Sequence, residues 1–190
     1  MNITVEISGE DKVRAMLKAF PKRAKSACRR SVNRAAQGVS TDSAKAITAE
    51  YRIKKKDVSA VMKRTKAAGE RLFAQVAIGG KKLPLDKFRY SPKDRAKKAK
   101  RGIKVYMRKG SATVFNGTFL GNSKNAKSGE GTGLKIFKRL GKKRLPIKRL
   151  LGPAVWQMLK DDSIKTIEAN AAERLAKNFE HEISRGHAFT

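Results

Sequence analysis

Few of the side chains able to carry a proton, a metal or a nucleophile are arranged for catalysis. His181 and His187 are the only histidines, and no Cys or carboxylate accompanies them at ligand spacing, so no metal site is expected. Asp161 and Asp162 are adjacent, so on a helix they point to different faces and cannot work as an acid/base pair. They read instead as charge in the N-terminal half of a helix. Gly129, Gly131, Gly133 and Lys135 superficially resemble a phosphate loop, but the GxxxxGK[ST] spacing is absent and a strand follows rather than a helix. Cys28 is the single cysteine; it rules out an internal disulfide and falls on a stripe of small residues, as a core thiol does. Asp86 and Asp94 stand isolated among lysines. The residues give no catalytic, cofactor-binding or metal-binding set, so neither an enzyme nor a cofactor is expected. A toxin or nuclease would need an acid/base constellation of which there is no sign.

Charge is the chemistry that remains. Lys and Arg number 46 against 16 Asp and Glu, a net charge of +30 on 190 residues. Residues 1–80 hold 18 bases and 7 acids, residues 81–149 hold 23 and 3, and residues 150–190 hold 5 and 6. The middle of the chain therefore carries most of the excess. Its densest run contains Lys93, Arg95, Lys97, Lys98, Lys100 and Arg101, and a second cluster, Lys142, Lys143 and Arg144, occupies a turn. These nine are the candidate contacts to a polyanion or an acidic protein. Nucleic acid is one such partner, because the same segment interleaves Phe88, Tyr90, Tyr106, Phe115, Phe119 and Phe137 with the bases. No RRM signature, zinc-finger spacing or basic zipper accompanies them, and Phe73, Phe119 and Phe137 fit a core equally well.

The elements that position these charges read as α+β: an antiparallel, curved sheet packed by a long N-terminal helix and a long C-terminal helix. One domain over 1–190 is expected, with a helical part at 10–49, a basic strand-rich part at 71–152 and a helix at 153–184. Ile3, Val5 and Ile7 alternate as a short strand; Val13, Met16, Leu17 and Phe20 form one face of a first helix. Pro21 kinks that helix or starts another, on which Ala24, Ala27, Cys28, Ser31, Val32, Ala35 and Val39 share a face opposite several bases. Asp57 is placed to cap a short helix reaching Lys63, with Val58, Val61 and Met62 inward. Strands follow at Arg71–Gly79 and Ile103–Met107, then an extended segment from Ala112 to Leu120 bent at Asn116-Gly117. Tyr90 to Arg101 has no apolar face and reads as loop or frayed helix, and the polar 121–131 segment reads as a mobile loop. Leu134–Arg139 and Arg144–Leu151 form a hairpin closed by Gly141-Lys142-Lys143, with Leu145, Ile147 and Leu151 on one side. Gly152 punctuates, and Pro153 suits the first turn of the final helix. No secretory leader is expected from Met1 to Lys12, and no apolar run approaches a membrane span.

Several of these stretches, in this order, resemble one family. They are the basic, Ala-rich helix KRAKSACRRSVNRAAQGVSTDSAKAI, YRIKKKDV at Tyr51–Val58, LPLDKF at Leu83–Phe88, GIKVYMRKG at Gly102–Gly110, NGTFLG at Asn116–Gly121 and RLPIKRLLGPAVWQML at Arg144–Leu159. The last is the most specific; the candidate motif residues are Pro146, Gly152 and Pro153 within it, Phe119 in NGTFLG, and Arg139 at the end of the strand closing with Phe137-Lys138-Arg139. Together they resemble the minor tail protein Z, or tail-completion, proteins of tailed bacteriophages and prophages. The resemblance implies a structural virion protein at the head-proximal end or neck of the tail, made in the host cytoplasm and needed for tail maturation and head–tail joining. It implies helices on a curved antiparallel sheet, a homo-oligomeric ring, and tail terminator, tail tube or head-completion proteins as partners, with phage DNA as a further contact and no membrane. The reading from residues alone keeps a basic nucleic-acid-binding protein of packaging or ribosomal type as the alternative.

Overall fold

The computed structural model describes residues 2–6, 21–93, 102–122 and 134–187. The helix face from Val13 to Phe20, the run from Asp94 to Arg101 and most of the polar loop lie outside these residues. The expected α+β class holds: two long helices accompany strands that pair antiparallel throughout, distributed over four small sheets. The chain divides into two compact units, Met1–Ala46 with Ser59–Gly80 and Leu159–Thr190, and Ile47–Val58 with Lys81–Met158.

In the first unit, helix α1 (Pro21–Glu50, its last turn belonging to the second unit) begins at the proline, whose fixed φ and missing N–H suit a first helical turn. Ala24, Ala27, Cys28, Ser31, Val32, Ala35, Ala36 and Val39 are all buried, as their common face requires. Six of these eight are no larger than Cys, which lets the helix backbone approach its neighbours closely. Strands β1 (Asn2–Glu6), β2 (Met62–Thr65) and β3 (Phe73–Ile78) form a sheet in the order β1-β3-β2, with Ile3 opposite Val76 and Arg64 opposite it on the other side. Ala74, Val76 and Ile78 are buried and Phe73 is exposed, the alternation expected of a one-sided strand. The expected helix at Asp57–Lys63 is shorter. Helix α2 spans Lys55–Ser59, all but Ser59 in the second unit, with Val58 buried, and Met62 already belongs to β2, because its segment pairs with Ile78 and its neighbours. Asn33 joins α1 to the segment after β2: its amide donates to the Ala67 carbonyl (3.1 Å) and its carbonyl accepts the Ala67 N–H (2.8 Å).

The final helix, α3, spans Asp161–His187 and not residues from Pro153. Asp161 and Asp162 occupy its first turn, where carboxylates complement the helix dipole. Ile167, Ala171 and Phe179 are buried and Leu175 is half-buried. Two ionic ties bind it to α1. Glu182 meets Arg30 (2.6 Å) and Arg34 (2.9 Å), and Arg174 meets Asp42.

The second unit is built of three small sheets. Strands β5 (Arg89–Ser91), β6 (Ile103–Tyr106) and β7 (Thr113–Phe115) run in the order β5-β6-β7; β8 (Thr118–Asn122), β9 (Leu134–Arg139) and β10 (Ile147–Arg149) in the order β10-β9-β8; and β4 (Lys82–Pro84) pairs with β11 (Leu151–Ala154). Tyr90 and Ser91 are thus strand, paired with Val105 and Lys104, where loop or frayed helix was expected. Gly121 and Asn122 end β8 and do not begin a loop. The core of this unit is aliphatic, with Leu85, Ile103, Val105, Ile136 and Val155 almost wholly buried and Phe88 the one buried phenylalanine. Asn116-Gly117 is the expected bend, with Gly117 at φ 69°, but the strands it joins enter different sheets. Thr118 secures that crossing: its hydroxyl accepts the Ile103 N–H (2.9 Å) and donates to the Phe115 carbonyl (2.5 Å).

Candidate partner-binding surface

The basic middle of the chain falls almost entirely in the second unit. Its described residues hold 20 Lys and Arg against Glu50, Asp57 and Asp86. Asp57 and Asp86 are held by cations of the same unit. Asp57 pairs with Lys87 at 2.9 Å, and Asp86 takes a two-point contact from Arg149, at 3.0 Å from Nε and 2.7 Å from Nη2. Most of the cations are exposed, so the surface is strongly positive, with little internal compensation.

The β9–β10 hairpin carries eight of those 20 cations. β10 pairs with β9 so that Ile147 faces Arg139 and Arg149 faces Phe137. The connection is longer than the three-residue turn expected from Gly141-Lys142-Lys143: it runs from Leu140 to Pro146, is closed by the Leu140 N–H donating to the Pro146 carbonyl (3.1 Å), and includes a cis Leu145–Pro146 bond. Lys142, Lys143 and Arg144 all lie exposed along it. The base of the hairpin is anchored by the Leu150 N–H to the Ile136 carbonyl (3.0 Å) and by the Asp86–Arg149 pair.

The motif residues have structural tasks. Phe119 and Phe137 are cross-strand neighbours with ring centroids 6.1 Å apart, and the Arg139 guanidinium lies 5.5 Å from the Phe119 centroid. Gly152 sits where a Cβ would meet Leu85 Cδ2 at 3.0 Å and Phe88 Cε2 at 3.2 Å. Pairing of β11 with β4, Leu151 opposite Pro84 and Ala154 opposite Lys82, holds the chain extended here, so Pro153 lies in β11 and starts no helix; a 3-10 turn at Val155–Met158 intervenes. Pro146 supplies the carbonyl that closes the hairpin connection.

Of the candidate contact residues, Lys93 is exposed just after β5, in a different sheet from the hairpin. Arg95, Lys97, Lys98, Lys100 and Arg101 lie outside the described residues. The structure brings together Lys142, Lys143 and Arg144 on one connection, with Arg139 at the strand end leading into it. Sequence reasoning missed the apolar side chains among them. Leu140, Leu145 and Ile147 are 64%, 65% and 38% exposed, and Leu151 is exposed too. The alternation of Leu145, Ile147 and Leu151 signalled a shared side, but not that the side is open to solvent.

Aromatic stacking platforms of the kind that bind unpaired bases are poorly supplied. Phe88 is buried, Phe119 is approached by Arg139, and Tyr106 lies within 6 Å of both Arg89 (5.9 Å) and Lys104 (5.5 Å). Cys28 is buried, and burial pushes its thiol above the usual range, which fits a core residue and not a nucleophile. Among the described residues no group of three or more His, Cys, Asp or Glu could hold a metal ion, and no helix is long and apolar enough to cross a membrane.

The family model for prophage minor tail protein Z matches residues 7–187. The chain belongs to the prophage minor tail protein Z family. No curated protein and no solved structure matches it. The match spans both units, so the two long helices and the basic sheets are parts of one phage minor tail protein. Membership implies a structural role in the virion tail among other tail proteins, and a non-enzymatic one.

Proposed function

We propose that this minor tail protein is a tail-completion component at the head-proximal end of the tail, acting in tail maturation and head–tail joining. The reading is supported chiefly by the segregation of charge: 20 cations and three carboxylates among the described residues of the second unit. Such a surface is complementary to acidic neck or tail proteins, and like charge opposes its packing against a copy of itself. Copies therefore gather as a ring only on the growing tail, where a partner neutralises them. Assembly takes place in the host cytoplasm, and the protein stays in the neck of the finished virion. Binding to DNA within the channel is the second reading. It draws on the same cations, but the aromatic side chains beside them give it little support as a base-stacking mode.

The test is to purify tails from an induced prophage deleted for this gene, add back the protein, and count head-joined tails by electron microscopy. The joined fraction should rise with added protein and fall with salt. Tails that join heads equally well without it would refute the proposal. A protein that ignores tails but binds duplex DNA with a steep log–log salt dependence would favour the second reading.

A further inference from the structure

We infer that the β9–β10 connection is a docking element for a protein, seating Leu140, Leu145 and Ile147 in an apolar pocket whose rim is acidic. This rests on the tail-assembly reading and names the surface that reading leaves open. Leu140 and Leu145 are 64% and 65% exposed, and Ile147 is 38% exposed, within eight residues of one another, whereas the other leucines and isoleucines among the described residues are mostly covered. Exposed aliphatic groups gain from leaving water only if a partner covers them. Lys142, Lys143 and Arg144 lie between Leu140 and Leu145, and Lys148 follows Ile147, while no carboxylate occurs from Leu134 to Lys160. That arrangement sets exposed apolar groups and cations close together on one short segment, the two ingredients of a protein interface.

The occupant follows from this chemistry. Duplex DNA would meet the cations but could cover the leucines only by unstacking base steps, at a cost that a preformed protein groove does not carry. A second copy's corresponding face would bring the same cations together. A neighbouring tail protein with an acidic-rimmed groove satisfies both halves of the surface. The element is also held for binding. The Leu140–Pro146 hydrogen bond closes it, the Asp86–Arg149 pair fixes its base, and Phe119 and Phe137 support the strand leading into it. A pre-formed loop loses less freedom on docking.

The experiment uses two variants of the full chain and the deletion tails described above. Leu140→Ser combined with Leu145→Ser should lower incorporation into tails by about tenfold or more, as expected for removing central anchors, while duplex DNA binding at low salt is unchanged. Leu145→Cys gives a single accessible thiol, because Cys28 is buried. It should react with a maleimide in the free protein and be protected about tenfold in tails, an occlusion that does not depend on the first variant folding. Normal incorporation of the double serine variant, or equal labelling of Leu145→Cys in free protein and tails, would overturn the inference and leave the assembly reading intact. Protection by duplex DNA alone, or by self-association of the free protein, would overturn it in favour of those occupants. Failure of the wild-type chain to enter tails at all would instead sink the assembly reading.

Discussion

Replacing Glu182 with Gln isolates the ionic tie between the two long helices of the first unit. The Glu182 side chain is 3% exposed and lies 2.6 Å from Arg30 Nε and 2.9 Å from Arg34 Nη1, whose side chains are 52% and 47% exposed. Removing one member of a buried pair costs about 3–5 kcal/mol when its partner is stranded out of water. Here water can resolvate both half-exposed guanidiniums, so the expected loss is nearer ~2 kcal/mol. In a protein of this size that lowers the melting temperature by roughly 4–8 °C. Circular dichroism of the helices would report it, because both long helices lie mainly in this unit. The pH dependence supplies a second check. Burial alone would raise the Glu182 carboxyl, but hydrogen bonding from Arg30 and the charges of Arg30, Arg34 and Arg185 outweigh it and hold the group below the usual carboxylate range. A carboxyl depressed on folding stabilises the fold above its unfolded pKa and loses that contribution as pH falls through the folded value. The wild type should therefore lose its advantage over Glu182→Gln on acidification below the ordinary glutamate range. Equal melting at neutral pH, or a gap that persists undiminished in acid, would refute this account of the tie.

Three further outcomes follow from single contacts. Gly102→Ala should abolish stable folding of the second unit, because φ is +116° and a Cβ would come 2.1 Å from the Phe115 carbonyl oxygen; yield of soluble protein and a urea melt are the readouts. Thr118→Val keeps the shape but removes the group that serves both the Ile103 N–H and the Phe115 carbonyl, so a loss of about 1–3 kcal/mol is expected in denaturant titration. Gly152→Ala, which presses on Leu85 and Phe88, should cost roughly 1–3 kcal/mol, and a melting temperature unchanged within 1 °C would show that these side chains yield freely.

Periodicity made much of this fold legible. The small-residue face of α1 and the alternation in β3 and β6 each appear buried as read, because a helix or strand with one apolar side has few ways to hide it. What escaped reading depended on contacts distant in sequence. Gly152-Pro153 suits either a helix start or an extended segment, and pairing with Lys82–Pro84, more than 60 residues earlier, decides for the extended form. Asp86 looks stray among lysines, yet it fixes Arg149. Asn116-Gly117 announces a bend without saying that the next strand joins another sheet. Leu145 and Ile147 obey strand alternation, but alternation alone cannot tell which side of an edge strand is covered. For the candidate surface, the charge was legible from composition; the apolar side chains set within it were visible only once the hairpin was formed.

Charge and exposed apolar groups are seldom combined so closely without reason. Apolar exposure alone favours self-association, and a dense cationic surface alone attracts many polyanions with little selectivity. Set side by side on the β9–β10 connection, each restrains the other. In the proposed role the cations keep free copies apart while the leucines remain uncovered. The leucines in turn disfavour a partner that offers phosphate but no pocket. Discrimination of this kind comes from the mismatch as much as from the match. The proposed assembly role asks for that discrimination: to stay dispersed until one particular surface of an unfinished tail is present.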